Sequence, residues 1–231
     1  MKHRRVGVVL IALVTTAPFT GIHREAPNRT DAPEVMRQVV VAYHSFSTYS
    51  DKGTSIIHLA NVDYRIEFET LFKRPGRLRF EWTLEYSETP GHKQNNLIWS
   101  DGTTAWASYS FHGNKLEPKK DLGLAVAGAT GVSWGTAPTI PRLLTDEVRT
   151  VRLDELNRLR LLANEPMDGI DCFVLIGYFA TGEECKVWVG RGDYLIRRIE
   201  ERSETTKRVE VRTRIAVNQE ISDSRFSERG Y

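Results

Sequence analysis

The chain reads as mainly β: a twisted antiparallel sheet with helices against its concave face. Three observations carry that reading. Apolar and polar residues alternate with period two over several runs, most clearly at 77–86. Turns of hairpin length, rich in Gly, Pro, Asp and Ser, separate the runs. Only the start and the middle of the chain carry helical or irregular patterning, enough to cover one face of a sheet.

Composition bounds the answer before any motif does. The 231 residues suffice for one large β domain, and 40% hydrophobic with 27% charged residues is ordinary for a folded chain. Basic and acidic side chains number 32 and 30, a net charge of +2. Nucleic acid is therefore not an expected partner, since that role needs a concentrated basic surface.

Residues 1–30 stand apart from the rest. Met1, Lys2, His3, Arg4 and Arg5 form a positive start, and residues 6–17 are uncharged and apolar. Polar, Pro-containing sequence follows. This is the layout of a signal peptide or N-terminal membrane-targeting leader. The expected mature unit is a single domain over 31–231, periplasmic or secreted, and membrane-tethered if the leader is left uncut.

The elements follow in order. Asp31 can cap a helix, with Pro33 and Glu34 suited to its first turn. Val35, Met36, Val39, Val40, Tyr43 and Phe46 then recur at helical spacing, which predicts a helix over about 33–46. Ser50, Asp51, Lys52 and Gly53 read as the turn that ends it. From Thr54 the period changes to two. Tyr64, Ile66, Phe68 and Phe72 share a face, as do Leu78, Phe80, Trp82, Leu84 and Tyr86. The turn 73–76 joins these two strands through Pro75 and Gly76. Strands are also expected near 97–99 and 105–111, joined by a turn at 100–103. Leu122 and residues 124–127 suggest a short helix, residues 128–141 read as loop, and 143–162 as mixed with short helical pieces. Four more strands follow at 170–178, 185–189, 194–201 and 207–217. In the last, Val209, Val211, Thr213, Ile215 and Val217 share one face, and Arg208, Glu210, Arg212 and Arg214 the other. The sum is one sheet of about nine to eleven strands, curling around helices.

The search for chemistry returns little. Residues 131–135, Gly-Val-Ser-Trp-Gly, fit the pattern of a nucleophile elbow around Ser133. That motif needs a strand before it, a helix after it and a histidine base, and no histidine follows Ser133. No catalytic residue is assigned. The histidines and the two cysteines lack metal-ligand spacing, and no glycine motif for phosphate is present, so neither metal nor cofactor is expected. Cys172 and Cys185 stay open between a disulfide and two buried thiols. Glu67 with Glu69, and Glu81 with Glu85, fall on the wet faces among arginines and read as ion pairs.

Aromatic bulk is the informative feature. Phe80, Trp82, Trp99, Trp106 and Trp134 are either plain core or the lining of a hollow between sheet and helices. Such a hollow would suit an acyl chain.

Phe72-Lys73-Arg74-Pro75-Gly76, running into the strand that carries Phe80 and Trp82, resembles a motif of the periplasmic lipoprotein-carrier (LolA/LolB-like) superfamily. So does Ser100-Asp101-Gly102 leading to Trp106. Weaker likenesses are Gly135 to Pro138 before Leu143 and Leu144, the later strands, and Asp223 to Phe226. The resemblance spans about 33–226. It implies an incomplete, half-open β-barrel with helices plugging the concave side over a cavity that receives acyl chains. On that basis the candidate cavity residues are Phe80, Trp82, Leu84, Trp99, Trp106, Leu124, Trp134, Leu143 and Leu144. Arg74 and Arg79 are the candidates for its mouth. The implied partners are acyl chains of lipoproteins or other lipids, and an envelope membrane protein. The competing expectation is a periplasmic protein-interaction or stress-sensing module on the same fold.

Overall fold

The computed structural model describes residues 31–150 and 153–228, so the expected leader lies outside the described residues. The first helix, α1 (Ala32–Ser45), begins where the sequence places it. Asp31 accepts a hydrogen bond from the Glu34 amide at 2.9 Å, and Ala32, Val35, Met36, Val39 and Tyr43 are buried.

Six strands follow as a meander: β1 (Thr48–Leu59), β2 (Val62–Lys73), β3 (Arg77–Tyr86), β4 (Lys93–Asp101), β5 (Ala105–Ser108) and β6 (Leu116–Lys119). Three helices come next, α2 (Leu122–Val132), α3 (Thr136–Thr139) and α4 (Pro141–Leu144). A second meander closes the chain: β7 (Asn157–Leu161), β8 (Glu165–Met167), β9 (Ile170–Tyr178), β10 (Glu184–Gly190), β11 (Ile196–Arg202) and β12 (Thr206–Val217). The two meanders join through β1 and β12 into one antiparallel sheet ordered β6-β5-β4-β3-β2-β1-β12-β11-β10-β9-β7, with β8 also on β9. The sheet has free ends at β6 and β7 and is an open, incomplete barrel.

Register assigns the faces. Phe72 lies opposite Leu78, Thr70 opposite Phe80, Phe68 opposite Trp82 and Ile66 opposite Leu84. These residues are buried with the inward side chains of α1 and α2 in one core. The alternating side chains Arg65, Glu67, Glu81 and Thr83 point away from it, as the alternation predicts.

Three expectations need correcting. Residues 50–53 form no turn but continue β1, paired to β2 on one side and β12 on the other. Gly53 is there for space: a Cβ would fall 2.2 Å from Phe68 and 2.5 Å from the Val211 carbonyl. The segment read as loop from 128 is helical, because α2 runs on to Val132 and α3 and α4 follow. Asp121 caps α2 by accepting from the Leu124 amide at 2.8 Å. The third is the strand expected to reach 111: it stops at Ser108, and a 3-10 turn takes over. Short β6, β7 and β8 bring the sheet to 12 strands.

The cysteines are free and buried. Cys172 pairs across from Gly190, whereas Cys185 pairs across from Gly177, which puts their side chains on opposite faces. Cys172 packs with Val174 and Trp188, Cys185 in the main core. A bridge would have to pass through the sheet. Burial pushes both thiols up, Cys185 the further. The expected result is two free thiols per chain when unreduced protein is titrated in denaturant, with negligible reaction in the folded state. Recovery of an internal disulfide by mass would contradict the placement.

Candidate binding cavity

The aromatic half of the concave face is filled. Phe80 stands 5.7 Å from Phe68 and 5.3 Å from Trp82, ring to ring, and Trp82 stands 6.2 Å from Tyr109. The Trp82 indole N–H donates to the Val132 carbonyl at 3.3 Å, which ties α2 onto this patch. Leu84, Leu143 and Leu144 are buried in the same core. Trp134 is half-buried, its ring 4.5 Å from Tyr64.

The other predicted cavity residues lie elsewhere. Trp99 pairs across from Arg79, one residue out of step with Phe80 and Ile98, so it occupies the opposite face of the sheet. Trp106 stacks on it there at 4.0 Å. The shared residue type suggested one cluster, but parity along the strand decides the face. Leu124 points outward from α2 and is 51% exposed.

Both arginines hold backbone carbonyls. Arg74 donates to the carbonyls of Phe46, His44 and Leu144 at 2.8, 2.6 and 2.9 Å, meeting carbonyl groups that helix ends leave without partners. Arg79, on the outer face, holds Glu81 and the backbone carbonyl of Ser227, pinning the C-terminal segment. Phe226 is buried beside that anchor.

A hollow lies over the second meander. A cavity of about 530 Å³ opens between α2, α3, the β9–β10 turn and the ends of β11 and β12. Ala127 and Thr130 of α2, Pro138 and Thr139 of α3, Leu153 and Phe179 give it a mainly apolar wall. Glu183, Glu201 and Arg208 supply its charged part. The helices that frame it are set by a sharp joint. Gly135 takes φ +80°, and buried Ser133 accepts from the Ala137 amide at 3.0 Å while donating to the Thr130 carbonyl at 3.3 Å. Ser133 is thus part of the α2–α3 joint. His58 and His112 bond Asp63 and Glu117 instead.

A larger space, about 840 Å³, lies on the outer face and is lined by Lys52, Glu67, Glu69 and Glu81 among others. It is half polar, and these charges already pair with one another or with Arg65, Arg79 and Arg225. Among the described residues no group of three or more His, Cys, Asp and Glu could hold a metal ion. No helix among them is long and apolar enough to cross a membrane.

Arg208 ends a buried charge ladder that the alternation did not place inside. In β12 it is Arg208, Glu210 and Arg212 that face the core, opposite Ile57, Ser55 and Gly53 of β1. Arg208 bonds Glu201 at 3.0 Å and Glu210 at 2.5 Å; Arg212 bonds Glu210 at 2.8 Å and also Asp51. Tyr49 donates to Asp51 at 2.6 Å, and the Arg212 guanidinium sits 4.7 Å over the Phe68 ring. Burial disfavours both guanidinium charges. The carboxylates outweigh it, Glu201 then Glu210 for Arg208 and Asp51 then Glu210 for Arg212, and hold both pKa values above the ordinary range. Burial, then Asp51, raises the Tyr49 phenol well above its usual value, so it remains a donor. One irregularity lets β12 carry charge and apolar residues on the same face. Its register against β1 shifts between Ser50 and Lys52, which turns Val217 inward beyond Arg212.

No protein-family model matches the chain, and no curated protein matches it in sequence. Solved structures do match. An uncharacterized conserved protein from Thermus thermophilus is similar over 84% of this chain and 91% of its own, at 10% identity and TM-score 0.52. A LolA superfamily protein from Nitrosomonas europaea matches over 87% and 99%, at 12% identity and TM-score 0.39. A chain of the Pseudomonas aeruginosa MucA/MucB complex matches over 85% and 60%, at 13% identity and TM-score 0.48. The likeness is one of fold.

Removing one partner from the ladder leaves buried charge unpaired. Arg212→Met is expected to lower stability by about 3–5 kcal/mol in urea unfolding. Adding Asp51→Asn should return part of that loss. Additive single effects would mean that the two side chains do not interact.

Proposed function

We propose that this chain holds an apolar tail, the acyl chain of a lipid or lipoprotein, in the cavity between α2–α3 and the ends of β10–β12. It does so in the bacterial envelope and without transforming what it binds. The carrying observation is the cavity itself. Its roughly 530 Å³ falls in the size range of small-molecule pockets, and its wall is mainly apolar with a few polar groups at one side. An acyl chain matches that chemistry, since each buried methylene contributes about 0.8 kcal/mol. The resemblance of residues 72–82 and 97–106 to the lipoprotein carriers supports the same reading, as do the export-like residues 1–17.

A second reading, a protein-interaction module, draws on α2. The helix contains no charged residue, and Leu124, Ala127, Gly128 and Gly131 form an exposed stripe along it. Phe111, 57% exposed, adds further apolar surface elsewhere on the chain.

Delipidated protein titrated with monoacyl glycerols of increasing length separates the two. Tail binding predicts affinity rising by about fourfold per methylene until the cavity is full. Ala127→Trp, at the exposed lip, should weaken binding at least about tenfold while shifting stability by no more than about 0.5 kcal/mol. Affinity independent of tail length, or unchanged by Ala127→Trp, would overturn tail binding.

A further inference from the structure

The charged part of the cavity says what kind of headgroup can accompany the tail. Among the described residues, Glu183, Glu201 and Arg208 are the charged side chains that line it. Arg208 is the single cation among them, and it is not free to act as one. Its Nε and Nη2 donate to Glu201 and its Nη1 donates to Glu210, which is fully buried just behind it. Glu210 is in turn shared with Arg212, which Asp51 also engages. The whole ladder sets Arg208 and Arg212 against Glu201, Glu210 and Asp51, and Glu183 adds a further carboxylate at the cavity. Among the described residues, the polar end of the hollow therefore carries an excess of negative charge.

Donors are nonetheless available there. A guanidinium has about five N–H groups, and the bonds to Glu201 and Glu210 use one each on Nε, Nη1 and Nη2. The remaining hydrogens on Nη1 and Nη2 suit a neutral oxygen acceptor. A carboxylate or phosphate in the same place would lose its hydration and meet Glu201 at close range.

We infer, building on the tail-binding reading, that the cavity selects amphiphiles with uncharged, oxygen-bearing headgroups and rejects anionic ones. Glu201 is the residue that sets this selection, by holding Arg208 neutralised. Selectivity here comes from repulsion of the wrong ligand as much as from attraction of the right one.

The test compares three probes of one tail length on the intact chain: monolaurin, laurate and dodecyltrimethylammonium, each titrated below its micelle threshold. Monolaurin is expected to bind at least about tenfold more tightly than laurate, with the cationic probe between them or equal to monolaurin. Glu201→Gln removes one carboxylate from the cavity wall and leaves Arg208 paired with Glu210 alone, so laurate affinity should rise about tenfold while monolaurin changes by less than about twofold. Glu183→Gln, in the exposed turn and remote from the ladder's bonds, should move laurate in the same direction and serves as the check if Glu201→Gln fails to fold. Laurate binding the wild type as well as monolaurin does would overturn the selection while leaving the cavity as the site. So would indifference of laurate to both substitutions. Failure of all three probes to bind would overturn the tail-binding reading as well.

Discussion

The structure depends on one seam, the pairing of β1 with β12. Two meanders, each a run of local hairpins, become a single sheet only there, and the chain between the two strands is most of the molecule. The seam is long, and its inner face is charged where the rest of the concave face is greasy. Arg208, Glu210, Arg212 and Asp51 are each at most 5% exposed. Such a ladder gives no large net stability, because the loss of water around each ion offsets most of the attraction. It does penalise every alternative register, since a slip of one residue would turn the charges to the outer face and strip each of its partners. Hydrophobic pairing tolerates such slips better. The seam thus has the composition expected of a contact that must form in one register only.

That charge also explains where the interior is hollow. The covering layer is thin: α1 contacts α4 and β7, α2 lies over β4, β5 and β6, and α3 and α4 are four residues each. Over the first meander, the aromatic side chains of β2 and β3 are bulky enough to meet α2 directly. Over β10–β12 the inward groups are smaller or are engaged with each other, as Glu201 and Arg208 are, and cannot rise to meet the helices. The gap lies beside the α2–α3 joint, where Gly135 and buried Ser133 hold two short helices at an angle. Packing in protein interiors rarely leaves a space of this size by accident.

Most of the fold was legible because it rests on local signals. The cap at Asp31, the period-two runs and the Gly- and Pro-bearing turns each act within a few residues, and they placed α1, β2, β3 and β9 closely. The misreadings share one cause: they required knowing what lies across the sheet. Ser50 to Gly53 are turn-like in composition, yet two neighbouring strands hold them extended and Asp51 finds Arg212 and Tyr49 inside. The glycines of α2 lower its intrinsic helix preference, but Gly123 is needed because a Cβ would meet the Glu147 carbonyl at 2.4 Å. Burial of Leu122, Ala125, Val126 and Ala129 then outweighs propensity.

The site was less legible for a more general reason. An alternating strand states that its two faces differ, but not which one is inside. In β12 the alternation left the inward face open, and the ladder shows that Arg208, Glu210 and Arg212 take it. Hairpin parity would have separated Trp99 from Phe80, since residues facing each other across the β3–β4 turn fall in pairs such as Phe80 with Ile98. No comparable local rule could find Arg208. Its partners lie on β11 and, through Glu210 and Arg212, on a strand more than 150 residues earlier in the chain. A cavity is a property of what fails to meet in space, so its lining, Ala127, Pro138, Thr139 and Phe179, carries no shared signature in sequence. What the sequence does hold is the reason the gap persists: an arginine and a glutamate placed to satisfy one another will not be drawn toward an apolar roof.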